Sequence, residues 1–84
     1  MPALQRFVYI IRSEKQPDRY YTGSTSNVKA RLAQHNGGHS GRTATGAPWQ
    51  LVVVIAFREQ RRALEFERYL KSGSGSAFAV RHFR

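Results

Sequence analysis

The nine residues from Trp49 to Phe57 are apolar at every position except Gln50. A run this short, β-branched and nearly unbroken reads as a strand covered on both faces, and the pattern predicts that it is the middle of a sheet. In an 84-residue chain that leaves little material for anything else. A domain of this size removes only roughly 60% of its unfolded surface from water, so we expect one domain over residues 1–84 with a small core. The chain has no cysteine, so the core is held by packing, without disulfides or thiolate metal sites.

The remaining elements follow from periodicity and punctuation. Phe7 to Ile11 is β-branched and aromatic and reads as a strand buried on both faces, with Tyr20 to Thr22 as its hairpin partner across the polar turn Ser13 to Arg19, which contains Pro17. Ser24, Thr25, Ser26 and Asn27 offer caps for a helix with Val28, Arg31, Leu32 and His35 on one side, ended by Asn36-Gly37-Gly38. From there to Pro48 the pattern predicts a mobile Gly, Ser and Thr loop carrying His39 and Arg42, with no element of its own. Glu59 to Lys71 reads as a second helix, with Ala63, Phe66, Glu67 and Leu70 on its apolar stripe. Ser74 to Arg84 has enough apolar residues for a short closing helix or strand, after a tight turn at Ser72 to Ser76.

Charge narrows the partner. The formal net charge is +9, supplied by eleven Arg and three Lys, and no acidic residue occurs between Arg19 and Arg58. Such a balance favours a polyanion, and the arginine excess favours bidentate phosphate contacts. Lys29, Arg42 and Arg58 are the expected nucleic-acid-binding residues. The longest apolar run is too short to span a bilayer and residues 1 to 14 lack a secretory hydrophobic region, so we expect a cytoplasmic protein with no membrane association.

Arg31 and His35 are four apart on the first predicted helix and can reach one point. An arginine there can hold a scissile phosphate and offset the charge that grows in the transition state, while His35 can orient water or donate to a phosphate oxygen. Read alone, His35 is an ordinary histidine near a helix C-terminus. Glu67 falls on the face that should be buried. It is either one half of an ion pair with an arginine or a ligand for Mg²⁺ or Mn²⁺, which keep several waters and need few protein carboxylates. Glu65, two positions away, faces solvent. Tyr9 and Tyr21 are sheet aromatics by propensity, and nearby positive charge would lower a phenol far enough to accept or relay a proton. His39 and His82 lack the spacing of a zinc site.

These parts, in this order, resemble the GIY-YIG nuclease superfamily over nearly the whole chain. Val8-Tyr9-Ile10 is similar to the first motif and Tyr21-Thr22-Gly23 to the second, with ten residues between them. Asn27 to Asn36 resembles the helix bearing the catalytic arginine, with a histidine one turn later, and Ala63-Leu64-Glu65-Phe66-Glu67 resembles the helix whose second glutamate holds the metal. With the Tyr69 to Gly75 segment, the likeness points to small stand-alone bacterial members related to the N-terminal domain of the excision-repair nuclease.

The resemblance implies an α/β fold of the α+β kind, with a small three-stranded antiparallel sheet flanked by helices. It also implies endonuclease hydrolysis of DNA, branched or damaged, with one Mg²⁺ or Mn²⁺ on Glu67. Tyr9 and Tyr21 both stand as general-base candidates, beside Arg31 and His35. A role in DNA repair or processing and a protein partner are consistent with it. Ser24 stands where the repair nuclease has a lysine, and Ala79 where several active members have an asparagine, which sets the expectation of weak or partner-dependent activity. The rival expectation is a non-catalytic nucleic-acid-binding module with the same fold.

Overall fold

In the computed structural model, residues 5–38 and 41–84 are described. His39 lies outside them. The elements are β1 (Arg6–Ser13), β2 (Tyr20–Thr25), α1 (Val28–Asn36), a 3-10 helix (Gly41–Gly46), β3 (Trp49–Phe57), α2 (Gln60–Leu70) and α3 (Gly73–His82). Both strand pairings are antiparallel and the sheet order is β2-β1-β3. No helix among the described residues is long and apolar enough to cross a membrane.

The centre of the sheet is therefore β1, which corrects the expectation for Trp49–Phe57. β3 is an edge strand, and Leu51 and Val54 remain 43% and 37% exposed. The physical reason is that an unbroken apolar run reports neighbouring side chains on either face and carries no information about hydrogen-bonding neighbours in the sheet plane. β1 has both. Val8, Ile10 and the buried Ala63, Leu70 and Ala79 form one core cluster, joined by Phe57, Phe66, Phe78 and Phe83. On the opposite face Tyr9, Ile11 and Trp49 form a second cluster with Tyr21, Leu32 and Ala47. Strand alternation assigns each side chain to its face.

The β1–β2 hairpin closes through Ser13, whose backbone N–H donates to the Arg19 carbonyl at 3.0 Å. Its buried hydroxyl accepts from Gln16 N–H at 2.9 Å and donates to the Gly46 carbonyl at 2.5 Å. That second bond ties the hairpin turn to the 3-10 helix. The segment predicted as an elementless loop is thus ordered from Gly41 onward, anchored by side chains distant in sequence, which no local periodicity could reveal. Arg19 donates to the Arg42 carbonyl at 2.5 Å, and the Trp49 indole N–H donates to the Thr43 carbonyl at 2.8 Å.

The first helix begins as its sequence implies, with the Asn27 side chain accepting from the Ala30 N–H. At its other end Asn36 accepts from the Trp49 N–H at 2.5 Å and donates to the Trp49 carbonyl at 3.2 Å, pinning α1 to the start of β3. The closing segment is a helix, with Ser72 capping α3 by accepting from Gly75 N–H at 3.2 Å. The α2–α3 junction is tight, because a Cβ on Gly75 would overlap the Tyr69 carbonyl, whereas one on Gly73 would meet nothing within 4 Å.

Gly75→Ala is expected to destabilise the fold by about 2 kcal/mol or more through backbone overlap. Gly73→Ala should be neutral or slightly stabilising, because it restricts the unfolded chain without a clash. Urea denaturation of the two variants beside the parent measures the difference.

Candidate nucleic-acid site at the β2 edge

β2 is the other edge of the sheet, and the residues singled out by sequence converge beside it. Tyr9 projects from β1 on the α1 side, directly opposite Gly23 in the strand register. The ring needs that glycine, since a Cβ on Gly23 would lie 2.5 Å from the Tyr9 hydroxyl oxygen. The hydroxyl reaches His35 Nε2 at 2.8 Å, and His35 Nδ1 in turn lies 2.7 Å from Thr43 Oγ1. Strand, helix and 3-10 helix are joined by one buried polar chain.

His35 is fully buried, so it is held by its side-chain partners as well as by its place near the C-terminus of α1. Both ring nitrogens are engaged by protein groups, so its reach is to Tyr9 and Thr43. Burial and the nearby Arg31 charge both push its pKa below the ordinary 6.5, keeping it neutral near pH 7. Tyr9 is also buried, and burial pushes its phenol above the usual 10.0 despite hydrogen bonding and positive charge from Arg31. The expectation that an arginine-rich setting would make this tyrosine acidic is thus reversed at Tyr9. Desolvation outweighs the guanidinium.

Tyr21 differs from Tyr9. It is half-buried, its ring centroid lies 5.0 Å from that of His35, and it lines a shallow hollow with Arg31, Gly41, Arg42 and Thr43 over the His35 floor. A neighbouring hollow shares Tyr21 and Arg42 and adds Lys71 and Arg84, and a third joins Lys71 to Glu67. Glu67 is half-buried and lies close enough to Tyr9 to act on its charge. Its Oε2 accepts from Lys71 Nζ at 3.0 Å, with the two side chains 20% and 51% exposed respectively.

The structure thus brings Tyr9, Tyr21, Arg31, His35 and Glu67 to one edge, with Arg42 beside them. It does not bring Lys29 or Arg58. Lys29 is exposed two positions from Arg31, on another side of α1, and Arg58 lines a separate hollow with Phe57, Glu59 and Arg62. His82 packs against Phe78, with ring centroids 4.6 Å apart. Sequence reasoning passed over Thr43, Lys71 and Arg84. Lys71 carried a usable signal in its i,i+4 spacing from Glu67. Thr43 carried none, because its partner lies eight residues back on another element.

Among the described residues no group of three or more His, Cys, Asp or Glu could hold a metal ion. The donor set still fits a hard, hydrated divalent cation, which takes one or two carboxylates and completes its shell with water and substrate phosphate. Glu67 is the carboxylate at that edge, and the Lys71 ammonium engages its Oε2.

A family model described as the GIY-YIG catalytic domain matches residues 5–79. Two similar proteins are named structure-specific endonuclease subunit SLX1. The one from Chaetomium globosum is 41% identical over 73 residues, covering 80% of this chain and 22% of its own length. The one from Candida dubliniensis is 40% identical over 82 residues, covering 89% of this chain and 27% of its own. The chain therefore spans about a quarter of the length of these relatives. A solved structure, the solution structure of a UPF0213 protein from Bacillus halodurans, matches with a TM-score of 0.54 and 28% identity over 90% of this chain and 82% of that one.

A pH dependence of stability follows from His35. Its folded pKa is lowered, so between that value and the ordinary 6.5 the unfolded state binds more protons. Stability is full above 6.5 and falls as pH drops below it. The expected slope is up to about 1.4 kcal/mol per pH unit. Chemical denaturation between pH 7.5 and 5.5 measures it, and His35→Gln should flatten it while lowering stability throughout.

Proposed function

The chain belongs to the GIY-YIG catalytic-domain family, matched over residues 5–79, and from that membership we propose that it is a divalent-metal-dependent endonuclease hydrolysing DNA phosphodiester bonds. The observation that carries this reading is the meeting of Arg31, Tyr21 and Glu67 along one open sheet edge, with Arg42, Lys71 and Arg84 around them. Branched or damaged DNA is the proposed substrate and repair or processing the setting. This draws support from relatives named structure-specific endonuclease subunits. The word subunit in those names also supports a protein partner.

Arg31 lies half-buried at the rim of the hollow, where its guanidinium can hold a scissile phosphate and offset the charge that builds as the phosphorus is attacked. Arg42, Lys71 and Arg84 hold the flanking backbone. Of the two tyrosines, Tyr21 is the one that lines the open hollow beside Arg31, where a water at this phosphate can meet it. Tyr9 keeps its hydroxyl turned inward to His35. Glu67 would hold the Mg²⁺ or Mn²⁺ ion, and such an ion supplies Lewis-acid stabilisation of charge on the phosphoryl oxygens.

One observation favours a second reading, a nucleic-acid-binding module without catalysis: the Lys71 ammonium already occupies Glu67 Oε2. In the same direction, Ala79 is packed into the apolar core and Ser24 accepts from Arg6 Nε at 2.9 Å. The two readings part in a nicking assay over branched, single-stranded and damaged DNAs with Mg²⁺, Mn²⁺ or chelator. Metal-dependent nicking supports the nuclease, whereas salt-sensitive binding with no nicking of any substrate overturns it and leaves the binding module.

Arg31→Ala should lower cleavage about a hundredfold, on the order of 3 kcal/mol, while binding changes little because other cations remain on the backbone. Equal losses in both would reduce it to one contact among many. Glu67→Gln should abolish metal-dependent cleavage yet cost less than about 1 kcal/mol of stability, since its ion pair is partly exposed. Thermal melts with and without Mn²⁺, run beside the cleavage assay, check both. Binding should weaken steeply with salt, as counterion release requires.

A further inference from the structure

The buried chain that starts at Thr43 runs through His35 to Tyr9, and donor counting sets its direction. The Arg31 guanidinium donates to Gln34 Oε1 at 2.7 Å and lines one hollow with His35 and Thr43. The Tyr9 hydroxyl is buried, and a buried hydroxyl needs an acceptor for its proton. That proton points at His35 Nε2, 2.8 Å away. A neutral imidazole has one donor and one acceptor, so an accepting Nε2 makes Nδ1 the N–H, and Nδ1 lies 2.7 Å from Thr43 Oγ1. The opposite tautomer would have Nε2–H donate to Tyr9 and leave the tyrosine proton without an acceptor in a site only 2% exposed.

We propose that Thr43 is a positioning residue: by accepting the Nδ1 proton of His35 it fixes the imidazole tautomer that accepts the Tyr9 proton, and so holds the floor of the hollow on which the Arg31 guanidinium sits at the phosphate site. The proposal rests on the reading of Arg31 as the phosphate-holding group. The anchor is firm. The Thr43 carbonyl accepts from the buried Trp49 indole at 2.8 Å, and the preceding carbonyl, of Arg42, accepts from Arg19 at 2.5 Å. Thr43 is itself 1% exposed, so water does not compete for the hydroxyl. The lowered pKa of His35 keeps the ring neutral, which the one-donor, one-acceptor arrangement requires.

Thr43→Val keeps the shape and removes the acceptor, while Thr43→Ser retains it. The tautomer is read from imidazole ¹⁵N chemical shifts of the histidine-labelled protein at neutral pH, and the arginine placement from the Arg31 guanidinium signals. The expected result is an Nδ1–H tautomer at His35 in the parent and in Thr43→Ser. Thr43→Val should lose that tautomer and shift the Arg31 signals. Cleavage should then show kcat reduced about tenfold with little change in KM, and recovery in Thr43→Ser, as for the loss of one buried hydrogen bond's orientation.

An Nε2–H tautomer in the parent overturns the proposal, and this measurement stands even if Thr43→Val does not fold. An unchanged tautomer or unchanged Arg31 signals in a folded Thr43→Val also overturn it. If the parent cleaves nothing while the tautomer and Arg31 signals respond as expected, the positioning chain stands and the nuclease reading alone fails.

Discussion

The hydrogen bond from Tyr9 to His35 is the interaction on which the rest of this site depends, because it joins the central strand to α1 at a point that water does not reach. Two polar groups meet at 2.8 Å beside the second core cluster, and His35 is engaged again on its far side by Thr43. Buried polar groups connected in this way specify one arrangement, since any slip leaves a donor or acceptor unpaired where the penalty is largest. The 3-10 helix is held to the same geometry by Ser13, Arg19 and Trp49, residues from the hairpin and from β3. A short Gly- and Thr-rich segment is thereby ordered without any apolar face of its own.

The central position of β1 divides the labour between the faces of the sheet. Val8 and Ile10 pack against α2 and α3 in an almost wholly apolar cluster, which supplies most of the burial that so small a domain can achieve. The face bearing Tyr9 and Ile11 is mixed, and its polar content is what the site uses. Because β2 is an edge, Tyr21 has no strand beyond it, and α2 can present Glu67 and Lys71 around that edge from the apolar side. The chemistry therefore gathers where the two layers meet. β3, the other edge, carries exposed apolar side chains and none of the converging residues.

Local information made the elements legible. The caps at Asn27 and Ser72, the apolar stripe of Ala63 and Leu70 and the four buried apolar residues Val8 to Ile11 of β1 all act within a few residues along the chain, which is the range over which pattern and propensity speak. The motif order carried the family, and the family match extends over residues 5–79. Strand order was not legible, because sheet neighbours are a long-range property that the apolar run of β3 does not encode. The state of His35 was hidden for the same reason: its burial comes from Tyr9 and Thr43, each on a different element. The acidity of Tyr9 was misjudged by weighing charge from composition without desolvation, which only the three-dimensional packing supplies.

A domain this small cannot keep structural and functional residues apart. Tyr9 and His35 are among the largest fully or nearly fully buried side chains, so replacing either removes core volume as well as a hydrogen bond, and lost activity in such a variant cannot by itself assign a chemical role. Arg31, Tyr21 and Glu67 are half-buried and reach outward, so their side chains can change with less harm to the fold. Thr43 falls between the two groups. It is buried, but its hydroxyl lies against a ring nitrogen with a readable protonation pattern, so that contact can be separated from packing by spectroscopy. The residues whose roles are most cleanly testable are therefore Thr43 at the end of the buried chain and Arg31 at the rim of the hollow, and not the tyrosine and histidine beneath them.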